Sequence, residues 1–515
     1  MGSCCPLLLN NREPFQAALL SRSEVSQKSR LESIHKNYNF IKVLGYGQFG
    51  TVREATRLFQ NGLERKFAIK SISKDKVCKK FNLLKRELEL LSIIDHPNIV
   101  KLHEIYEDEK YLHLVLDLCK GGDLYDYILN KGKLTEKEVM MIMKKIFSAI
   151  NHLHTVSICH RDLKPDNFML VTKDSDSEVK LIDFGMSVKF GDEQMHTIVG
   201  TPYYLAPEVY MGNYGKECDN WSLGVVMYFL LSGKQPFSGS NINELLANIL
   251  KCNFTFDDRN WNDVSEDAKD LIRKLLVVDP KDRISISNSL RHKWFNQHAT
   301  TAPVNLEIFN SLKTFKAHGK LWNEMMKVFI RNLSEDEIKD LDVAFKAIDT
   351  EHTGFITADN IEKAMLRNGY PVVADEIHKL INLIDYLGNG KLNYTQFLIV
   401  TADRKSIFDE ESLWSAFKYF DISNQGKVHV SDLEFVLEKA GCCITTLDFE
   451  EILNEFQLKA GDFMSFDQFK DIIVCFSPEN SADFNHLAPP RTVRRLSHKR
   501  LSIRRLSNAN AQQTS

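Results

Sequence analysis

Apolar and polar residues follow two different patterns along the chain. Short β-branched runs such as Phe67-Ala68-Ile69 and His113-Leu114-Val115 predict strands. Longer runs with helical spacing follow them, for example at 225–231 and 268–276. This succession predicts a mixed α/β domain over residues 38–295.

After this domain the apolar residues recur at helical spacing only. In a connecting segment at 296–333, Leu321, Met325 and Val328 fall on one face of a predicted helix. A capping-box pattern at Ser334-Glu335-Asp336-Glu337 then predicts the start of another helix. The two segments predict that the second half of the chain is helical.

A repeat of constant length fills residues 334–476. Its loops begin at Asp349, Asp385, Asp421 and Gln457, which are 36 residues apart in each case. An unchanged period over four units indicates a repeated supersecondary unit. The eighth position of every loop is apolar, at Ile356, Leu392, Val428 and Met464. The repeats resemble EF-hands, and that resemblance implies that the loops pair through these residues.

Composition and charge narrow the class of protein. The 515 residues are 43% hydrophobic and 26% charged, which is typical of globular domains. The net charge of −3 gives no overall attraction to nucleic acid, so no nucleic-acid partner is expected. The ten cysteines lack a disulfide or C-x-x-C spacing, which favours a reduced, cytoplasmic setting. No run of about eighteen apolar residues is present, so no membrane-spanning segment is expected.

A glycine-rich turn and a lysine begin the candidate chemistry. Gly45, Gly47 and Gly50 lie between two predicted strands, where their backbone can close over phosphates without Cβ clashes. By itself this pattern is weak, because glycine-rich hairpins are common. Lys70 on the next strand is placed to hold the α- and β-phosphates of ATP, and Glu87 on the following helix can pair with it. The alternative for Glu87 is an ordinary solvated charge.

The segment His160-Arg161-Asp162-Leu163-Lys164-Pro165-Asp166-Asn167 is much more specific. Asp162 supplies a carboxylate that accepts the proton of a substrate hydroxyl, and Lys164 can neutralise charge on the moving phosphoryl group. Asn167 offers an amide oxygen to a metal ion. Asp183, in the sequence Asp183-Phe184-Gly185, would bind the Mg²⁺ that bridges the phosphates.

These motifs, followed by Ala206-Pro207-Glu208, resemble those of the protein kinase family over residues 38–295. The resemblance implies that Asp219 supports the catalytic loop and that Arg283 pairs with Glu208. It also implies serine/threonine specificity, from Lys164 and Gly200-Thr201-Pro202. It further implies that Leu116 lies at the back of the ATP pocket and that residues 117–119 form the hinge. The predicted nucleotide site comprises Gly45, Gly47, Gly50, Val52, Ala68, Lys70, Asp117, Cys119, Asp123, Asn167 and Asp183.

Two further features bear on substrates and regulation. Asp123 and Asp166 match the positions at which basophilic kinases hold an arginine upstream of the phosphoacceptor, although both could be surface charges. Thr197 lies in the activation segment, where a phosphate could pair with Arg161 and order the segment. The alternative is an unmodified threonine, with Asp192 and Glu193 supplying the charge.

The four repeats resemble EF-hands whose metal ligands are incomplete. The loops span 349–360, 385–396, 421–432 and 457–468, and none has the bidentate glutamate at its twelfth position. The candidate Ca²⁺ ligands are Asp349, Glu351 and Thr353 in the first loop and Asp421, Ser423 and Asp432 in the third. Because affinity follows ligand charge, we expect weak Ca²⁺ binding at the first or third loop and none at the fourth.

The order of a kinase domain, a junction at 296–333 and four EF-hands at 334–476 resembles the calcium-dependent protein kinases. The resemblance implies a multidomain α+β fold, in which a bilobal kinase precedes an all-α EF-hand module of two lobes. In that family the junction covers the substrate cleft until Ca²⁺ rearranges the module. The altered loops leave two alternatives: weak binding that still regulates, or a fixed scaffold that docks the junction.

Both ends carry candidate modification sites. In the N-terminal segment 1–37, Met1-Gly2-Ser3-Cys4-Cys5 resembles an N-myristoylation start at Gly2 with palmitoylatable Cys4 and Cys5, except that Pro6 replaces the usual serine or threonine. The tail 477–515 is polar and basic and is predicted to be disordered. Its predicted phosphorylation sites, each preceded by a base three residues upstream, are Ser497, Ser502 and Ser507. Either end could instead be unmodified.

The sequence therefore predicts a serine/threonine kinase that transfers the γ-phosphoryl of ATP with Mg²⁺ to proteins bearing basic residues near the acceptor. It predicts a cytoplasmic location with peripheral attachment to an anionic membrane through acylation and the basic tail. Two alternatives remain open: a catalytically silent scaffold with a kinase fold, and a lipid-associated calcium sensor.

Overall fold

The computed structural model describes the chain over the following residues: 29–30, 33–47, 50–58, 64–77, 81–174, 177–191, 193–257, 259–296, 304–314, 326, 330, 335–371, 374–385, 389–402, 410, 413, 414, 417, 420, 421, 425–430, 458–459 and 461–470. Predictions that lie outside these residues concern Gly2, Cys4, Cys5, Asp192, Leu321, Met325, Val328, Ser334, Ser423, Asp432, Gln457, Ser497, Ser502 and Ser507. Among the described helices, none is long and apolar enough to cross a bilayer.

The chain divides into two compact units that do not follow its sequence order. The first unit comprises Met1–Val304, Asp342–Val372 and Lys391–Tyr394. The second comprises Asn305–Leu341, Val373–Gly390 and Thr395–Ser515. The loop and exit helix of the first EF-hand repeat therefore belong to the same unit as the kinase domain.

A six-stranded sheet forms the first layer of the kinase domain. Its strands are β1 (Ser29–Arg30), β2 (Asn39–Tyr46), β3 (Gly50–Leu58), β4 (Glu64–Ser73), β5 (Leu102–Glu107) and β6 (Tyr111–Leu116). They lie in the order β1-β5-β6-β4-β3-β2, with β1 parallel to β5 and the other neighbours antiparallel. Helices α1 (Lys74–Val77) and α2 (Phe81–Ile93) follow β4, and α2 buries the predicted face of Leu84, Leu88 and Leu91.

Helices dominate the second lobe. They are α3 (Leu124–Lys131), α4 (Glu136–Thr155), α5 (Pro207–Tyr210), α6 (Glu217–Ser232), α7 (Ile242–Leu250), α8 (Glu266–Leu275), α9 (Ile286–Leu290) and α10 (Lys293–Asn296). A capping box between Thr135 and Glu138 starts α4, and Ser265 caps α8. Helix α6 is buried from Cys218 to Ser232, so it is the central element around which the lobe packs.

Short strands connect the two lobes and carry the catalytic segments. They are β7 (Gly122–Asp123), β8 (Ile158–Cys159), β9 (Phe168–Leu170), β10 (Val179–Leu181) and β11 (Val188–Lys189). Strands β10, β9 and β7 form one sheet, and β11 pairs with β8. The segment between β8 and β9 holds Asp162, Lys164 and Asn167, and the segment between β10 and β11 holds Asp183.

The EF-hand region is helical, with the loops joined in pairs by short strands. Its described helices are α12 (Glu335–Ile348), α13 (Ala358–Arg367), α14 (Ala374–Ile384) and α15 (Tyr394–Thr401), and α11 (Leu306–Thr314) lies before them in the junction. Strand β12 (Phe355–Ile356) pairs with β13 (Leu392–Asn393), and β14 (Val428–His429) pairs with β15 (Phe463–Met464). Ile356 lies opposite Leu392 and Val428 opposite Met464, which confirms the predicted pairing of the loops. The multidomain α+β fold class is confirmed as well.

Candidate active site

The glycine-rich turn and the lysine strand lie side by side in the six-stranded sheet. Gly45 lies opposite Val52, and Val52 lies opposite Lys70 in the next strand. Gly50 has no room for a side chain, because a Cβ would collide with the carbonyl oxygen of Ser71. The strand register therefore places the phosphate-covering turn next to the strand that bears the lysine.

The predicted ion pair of Lys70 is present. Its Nζ lies 2.8 Å from Oε1 of Glu87, which α2 presents and which is buried. Burial alone would lower the pKa of Lys70, but Glu87 and Asp183 raise the pKa above its usual value. Lys70 is therefore held as a cation at the position assigned to the phosphates, and the solvated alternative for Glu87 is excluded.

The candidate catalytic base is held by two neighbours. The hydroxyl of Thr201 donates to Oδ1 of Asp162 at 2.7 Å, and Lys164 Nζ lies 3.3 Å from Oδ2. Lys164 also donates to the hydroxyl of Thr201 at 3.0 Å. In the sequence Thr201 belongs only to the specificity motif, and its direct bond to Asp162 was not predicted. This hydroxyl fixes the carboxylate orientation that proton acceptance requires.

Two residues are suited to hold a divalent cation. The amide nitrogen of Asn167 donates to the backbone oxygen of Asp162 at 2.7 Å, so its amide oxygen is the atom that Asn167 offers to a metal. Asp183 is exposed, and its Oδ1 accepts the backbone N–H of Gly185 at 2.9 Å. A carboxylate and an amide oxygen fit Mg²⁺, which completes its octahedral shell with water and phosphate oxygens.

A buried aspartate holds the backbone of the catalytic loop through hydrogen bonds. Asp219, at the start of α6, accepts the backbone N–H groups of His160 and Arg161 at 2.9 Å each. His154 Nε2 lies 2.9 Å from the same carboxylate, a contact that sequence analysis did not predict. Arg161 has a positive φ of 69°, an uncommon conformation for a non-glycine residue, and Asp219 stabilises it.

The second structural ion pair is also present. Arg283 donates to Glu208 through two nitrogens, at 2.6 and 3.0 Å, and both residues are buried. Arg283 also donates to the backbone oxygens of Glu217 and Val277. The bidentate pair joins the end of the activation segment to the segment that follows α8.

The hinge carboxylate is engaged by protein groups. Asp117 contacts Lys180 Nζ at 2.8 Å, His103 Nε2 at 2.7 Å and the backbone N–H of Lys101 at 3.1 Å. Burial alone would raise the pKa of Asp117, but Lys180 and His103 lower the pKa well below its usual range. A nucleotide would therefore meet the backbone of Asp117 rather than its side chain. Burial raises the pKa of Cys119 to about 12, so its thiol stays neutral.

The substrate and activation residues have local roles that the sequence did not reveal. Asp123 caps α3, because its Oδ1 accepts the N–H of Asp126 at 2.8 Å. Asp166 is exposed. The Thr197 side chain is exposed, while its backbone oxygen accepts the hydroxyl of Tyr214 at 2.6 Å. Arg161 donates to that same tyrosine hydroxyl at 3.2 Å, so Tyr214 links the activation segment to the catalytic loop.

The first EF-hand loop is closed by its own backbone. Asp349 accepts the N–H groups of Thr353 and Gly354 at 3.1 and 2.7 Å. Burial raises the pKa of Asp349 to about 6, although these hydrogen bonds oppose the shift. Asp421 in the third loop accepts the N–H groups of Gln425 and Gly426 in the same way, at 3.0 and 2.7 Å.

The residues at the twelfth position of the first and fourth loops cap helices. The amide oxygen of Asn360 accepts the N–H and hydroxyl of Thr357 at 2.9 and 2.8 Å, which forms the capping box of α13. Gln468 accepts the N–H of Ser465 at 2.9 Å in the fourth loop. A capping amide cannot supply the bidentate carboxylate of a strong Ca²⁺ site. At its twelfth position, therefore, neither the first nor the fourth loop offers the bidentate carboxylate of a strong Ca²⁺ site.

Comparison with known proteins agrees with this geometry. A family model described as a protein kinase domain matches residues 38–295, and one described as an EF-hand domain pair matches 338–402. The chain is 37% identical over 412 residues to calcium-dependent protein kinase 2 of Zea mays, covering 79% of this chain and 80% of that protein. It is 34% identical over 454 residues to calcium-dependent protein kinase 33 of Arabidopsis thaliana, covering 87% and 86%. It is 36% identical over 400 residues to calcium-dependent protein kinase 3 of Plasmodium berghei, covering 76% and 71%.

Proposed function

This chain belongs to the calcium-dependent protein kinase family, and from that premise we propose that it phosphorylates serine and threonine residues that lie near basic side chains. Serine/threonine kinase activity follows from the family. In this chain the kinase activity is supported by the placement of Asp162, Lys164 and Thr201, which lie within hydrogen-bonding distance of one another. The silent-scaffold alternative has no support, because the lysine, base and metal ligands are all retained.

The proposed reaction uses ATP and Mg²⁺, for which a kinase domain provides the site. Lys70, fixed by Glu87, would bind the α- and β-phosphates, and Asn167 with Asp183 would hold Mg²⁺. Asp162 would accept the proton of the attacking hydroxyl, and Lys164 would offset charge on the transferred group. In this assignment the protein orients groups and balances charge, which are the main contributions of an enzyme to phosphoryl transfer.

The preference for basic substrates rests on Asp123 and Asp166. Either carboxylate could pair with an arginine upstream of the acceptor through charge-assisted hydrogen bonds. A peptide carrying arginine three residues before serine should have a KM roughly tenfold below that of the same peptide with alanine there. Asp166→Asn should remove most of this difference, while Asp126→Asn on the exposed face of α3 should not. Equal KM values for the two peptides with the natural enzyme would refute the preference.

We propose that Ca²⁺ binds weakly at the first or third loop. Each loop retains one buried aspartate that its backbone already orients, but neither has a glutamate at the twelfth position. Calorimetric titration should find no tight sites, and four tight sites would contradict the proposal. Peptide phosphorylation with Ca²⁺ or with a chelator then separates the alternatives. Equal rates indicate a scaffold, whereas strong stimulation indicates regulation by weak sites.

We further propose a cytoplasmic protein attached peripherally to anionic membranes. The support is sequence-based: Gly2 with Cys4 and Cys5 offers two acylation signals, and the tail contributes basic residues worth about 1 kcal/mol each near an anionic surface. Gly2→Ala should shift the protein to the soluble fraction, and an unchanged distribution would refute acylation. Mass spectrometry after incubation with Mg²⁺ and ATP tests autophosphorylation at Ser497, Ser502, Ser507 and Thr197.

A further inference from the structure

The loop of the first EF-hand repeat lies directly against the kinase domain. The amide nitrogen of Asn151, near the end of α4, donates to the backbone oxygens of Glu351 at 3.2 Å and His352 at 2.8 Å. Nδ1 of the adjacent His152 donates to the backbone oxygen of Thr353 at 2.9 Å. Three consecutive carbonyl groups of the loop are thus bound by two buried side chains of one kinase helix.

The packing around these hydrogen bonds is close. Gly354 has a positive φ of 76°, and a Cβ at this position would overlap the imidazole of His152. The His152 ring also packs against Phe355 at 5.2 Å and His96 at 5.3 Å, measured between ring centroids. His96 is held in turn by Ser148, whose hydroxyl lies 3.1 Å from Nε2. The glycine that turns the EF-hand loop therefore also permits the close approach.

A charged contact joins the entering helix of the same repeat to the kinase domain. Lys346 on α12 lies 2.7 Å from Glu178, immediately before β10, and 2.6 Å from Asp342. Glu178 also contacts Lys145 at 3.1 Å and accepts the amide of Asn98 at 2.8 Å. The contact is half-buried, since the side chain of Lys346 is 27% exposed and that of Glu178 is 35% exposed.

The strand that follows Glu178 leads to the hinge. Lys180, two residues further along, contacts the hinge carboxylate of Asp117 at 2.8 Å and the backbone oxygen of Pro97 at 3.0 Å. The same strand ends at Leu181, just before Asp183. The residue that precedes β10 thus contacts the first EF-hand repeat, and β10 itself carries the cation that contacts the hinge carboxylate.

We propose that the first EF-hand repeat is a positioning element of the nucleotide site, docked on the kinase domain through backbone carbonyls and Lys346 in a way that does not depend on Ca²⁺. The docking contacts use the backbone carbonyl groups of Glu351, His352 and Thr353, whereas the candidate Ca²⁺ ligands of this loop are side chains. Through Glu178 and β10 the repeat restrains the hinge, so losing the contact weakens ATP binding rather than the chemical step. The inference rests on the kinase activity proposed above.

The test compares variants of the full-length chain. Lys346→Met removes the charge at similar length, Lys346→Arg keeps it, and Lys339→Met on the exposed face of α12 is the matched control. With chelator present, Lys346→Met should raise the KM for ATP roughly fivefold and leave kcat within about twofold. Lys346→Arg and Lys339→Met should keep the natural KM. An unchanged KM in Lys346→Met would overturn the proposal, as would an effect that appears only with Ca²⁺.

A second variant separates this inference from a general loss of stability. If Lys346 acts through Glu178, the double variant with Glu178→Gln should have the same KM for ATP as the more impaired single variant. If the two effects multiply, the residues act independently and the inference is wrong. Equilibrium binding of a fluorescent ATP analogue to the same variants reports docking without catalysis. Failure of the natural chain to phosphorylate any peptide would refute the kinase function, whereas the binding series would still decide the docking.

Discussion

At the scale of single residues, the active site is organised by hydrogen bonds that restrict charged groups. Asp162 is oriented by Thr201, and the loop that carries Asp162 is held by Asp219 through two backbone N–H groups. These bonds orient the reacting groups in advance, so orientation costs little free energy during the reaction. Removing the carboxylate should therefore affect rate far more than stability.

Asp162→Asn should lower kcat by about 100-fold or more, because an amide cannot accept the substrate proton. The amide retains similar size and still accepts the hydroxyl of Thr201, so the melting temperature should stay close to that of the natural chain. Steady-state kinetics and a thermal melt measure the two quantities. Activity above a tenth of the natural rate would show that another group takes the proton.

Glu208→Gln should lower the free energy of unfolding by about 3 kcal/mol, because it leaves the buried guanidinium of Arg283 without its countercharge. Denaturant titration measures the change. Glu266→Gln is the control, since it disrupts a comparable ion pair at the surface and should have no measurable effect. Similar losses in both variants would indicate that burial of the pair contributes nothing.

At the scale of elements, the EF-hand loops retain their fold while their ligands have changed. The apolar eighth positions pair across both small sheets, and the turn glycines at 354, 390 and 426 keep positive φ. The twelfth position has become a helix cap in the first and fourth loops. A fold that depends on apolar pairing and capping can persist without metal ligands.

Asn360→Glu should raise the Ca²⁺ affinity of the first loop by roughly tenfold or more, since it adds a carboxylate to a loop that retains Asp349 and Glu351. Glutamate also satisfies the capping box, so α13 should be preserved. Gln468→Glu in the fourth loop is the control. That loop has no carboxylate at its other ligand positions, so calorimetry should detect no Ca²⁺ binding to it. Binding gained equally by both variants would contradict this reading of the loops.

At the scale of the whole molecule, the compact units do not coincide with the order of domains along the sequence. Residues Asp342–Val372 join the kinase domain, although the junction at 296–333 separates them from it in the chain. Their removal would expose the buried rings of His96 and His152 and leave Asn151 without its carbonyl partners. The first repeat should therefore contribute to the thermal stability of the kinase domain.

A chain ending at Val304 should melt about 3–6 °C below a chain ending at Ala402, which keeps the first pair of repeats. The longer chain should reproduce the kinase transition of the complete protein. Thermal melts in chelator measure both. Equal melting temperatures for the two truncated chains would show that the first repeat does not stabilise the kinase domain.

The sequence by itself determined which residues are the candidate catalytic groups, and it determined the repeat of 36 residues. The order and spacing of the motifs identify Lys70, Asp162, Asn167 and Asp183, so roles could be predicted for these residues without coordinates. The apolar eighth positions, together with the resemblance of the repeats to EF-hands, likewise predicted the pairing of Ile356 with Leu392.

Only the tertiary structure decided which distant groups meet. The hydroxyl of Thr201 on Asp162, the Tyr214 link to Thr197 and the Lys180 contact with Asp117 join segments whose spacing carries no shared pattern. The docking of the first EF-hand loop on α4 could not be predicted from the sequence either. The loop contributes backbone carbonyl groups, which every residue has, so no residue type marks the contact. Side-chain chemistry can be read from the sequence, but the approach of two surfaces depends on the packing of the whole chain.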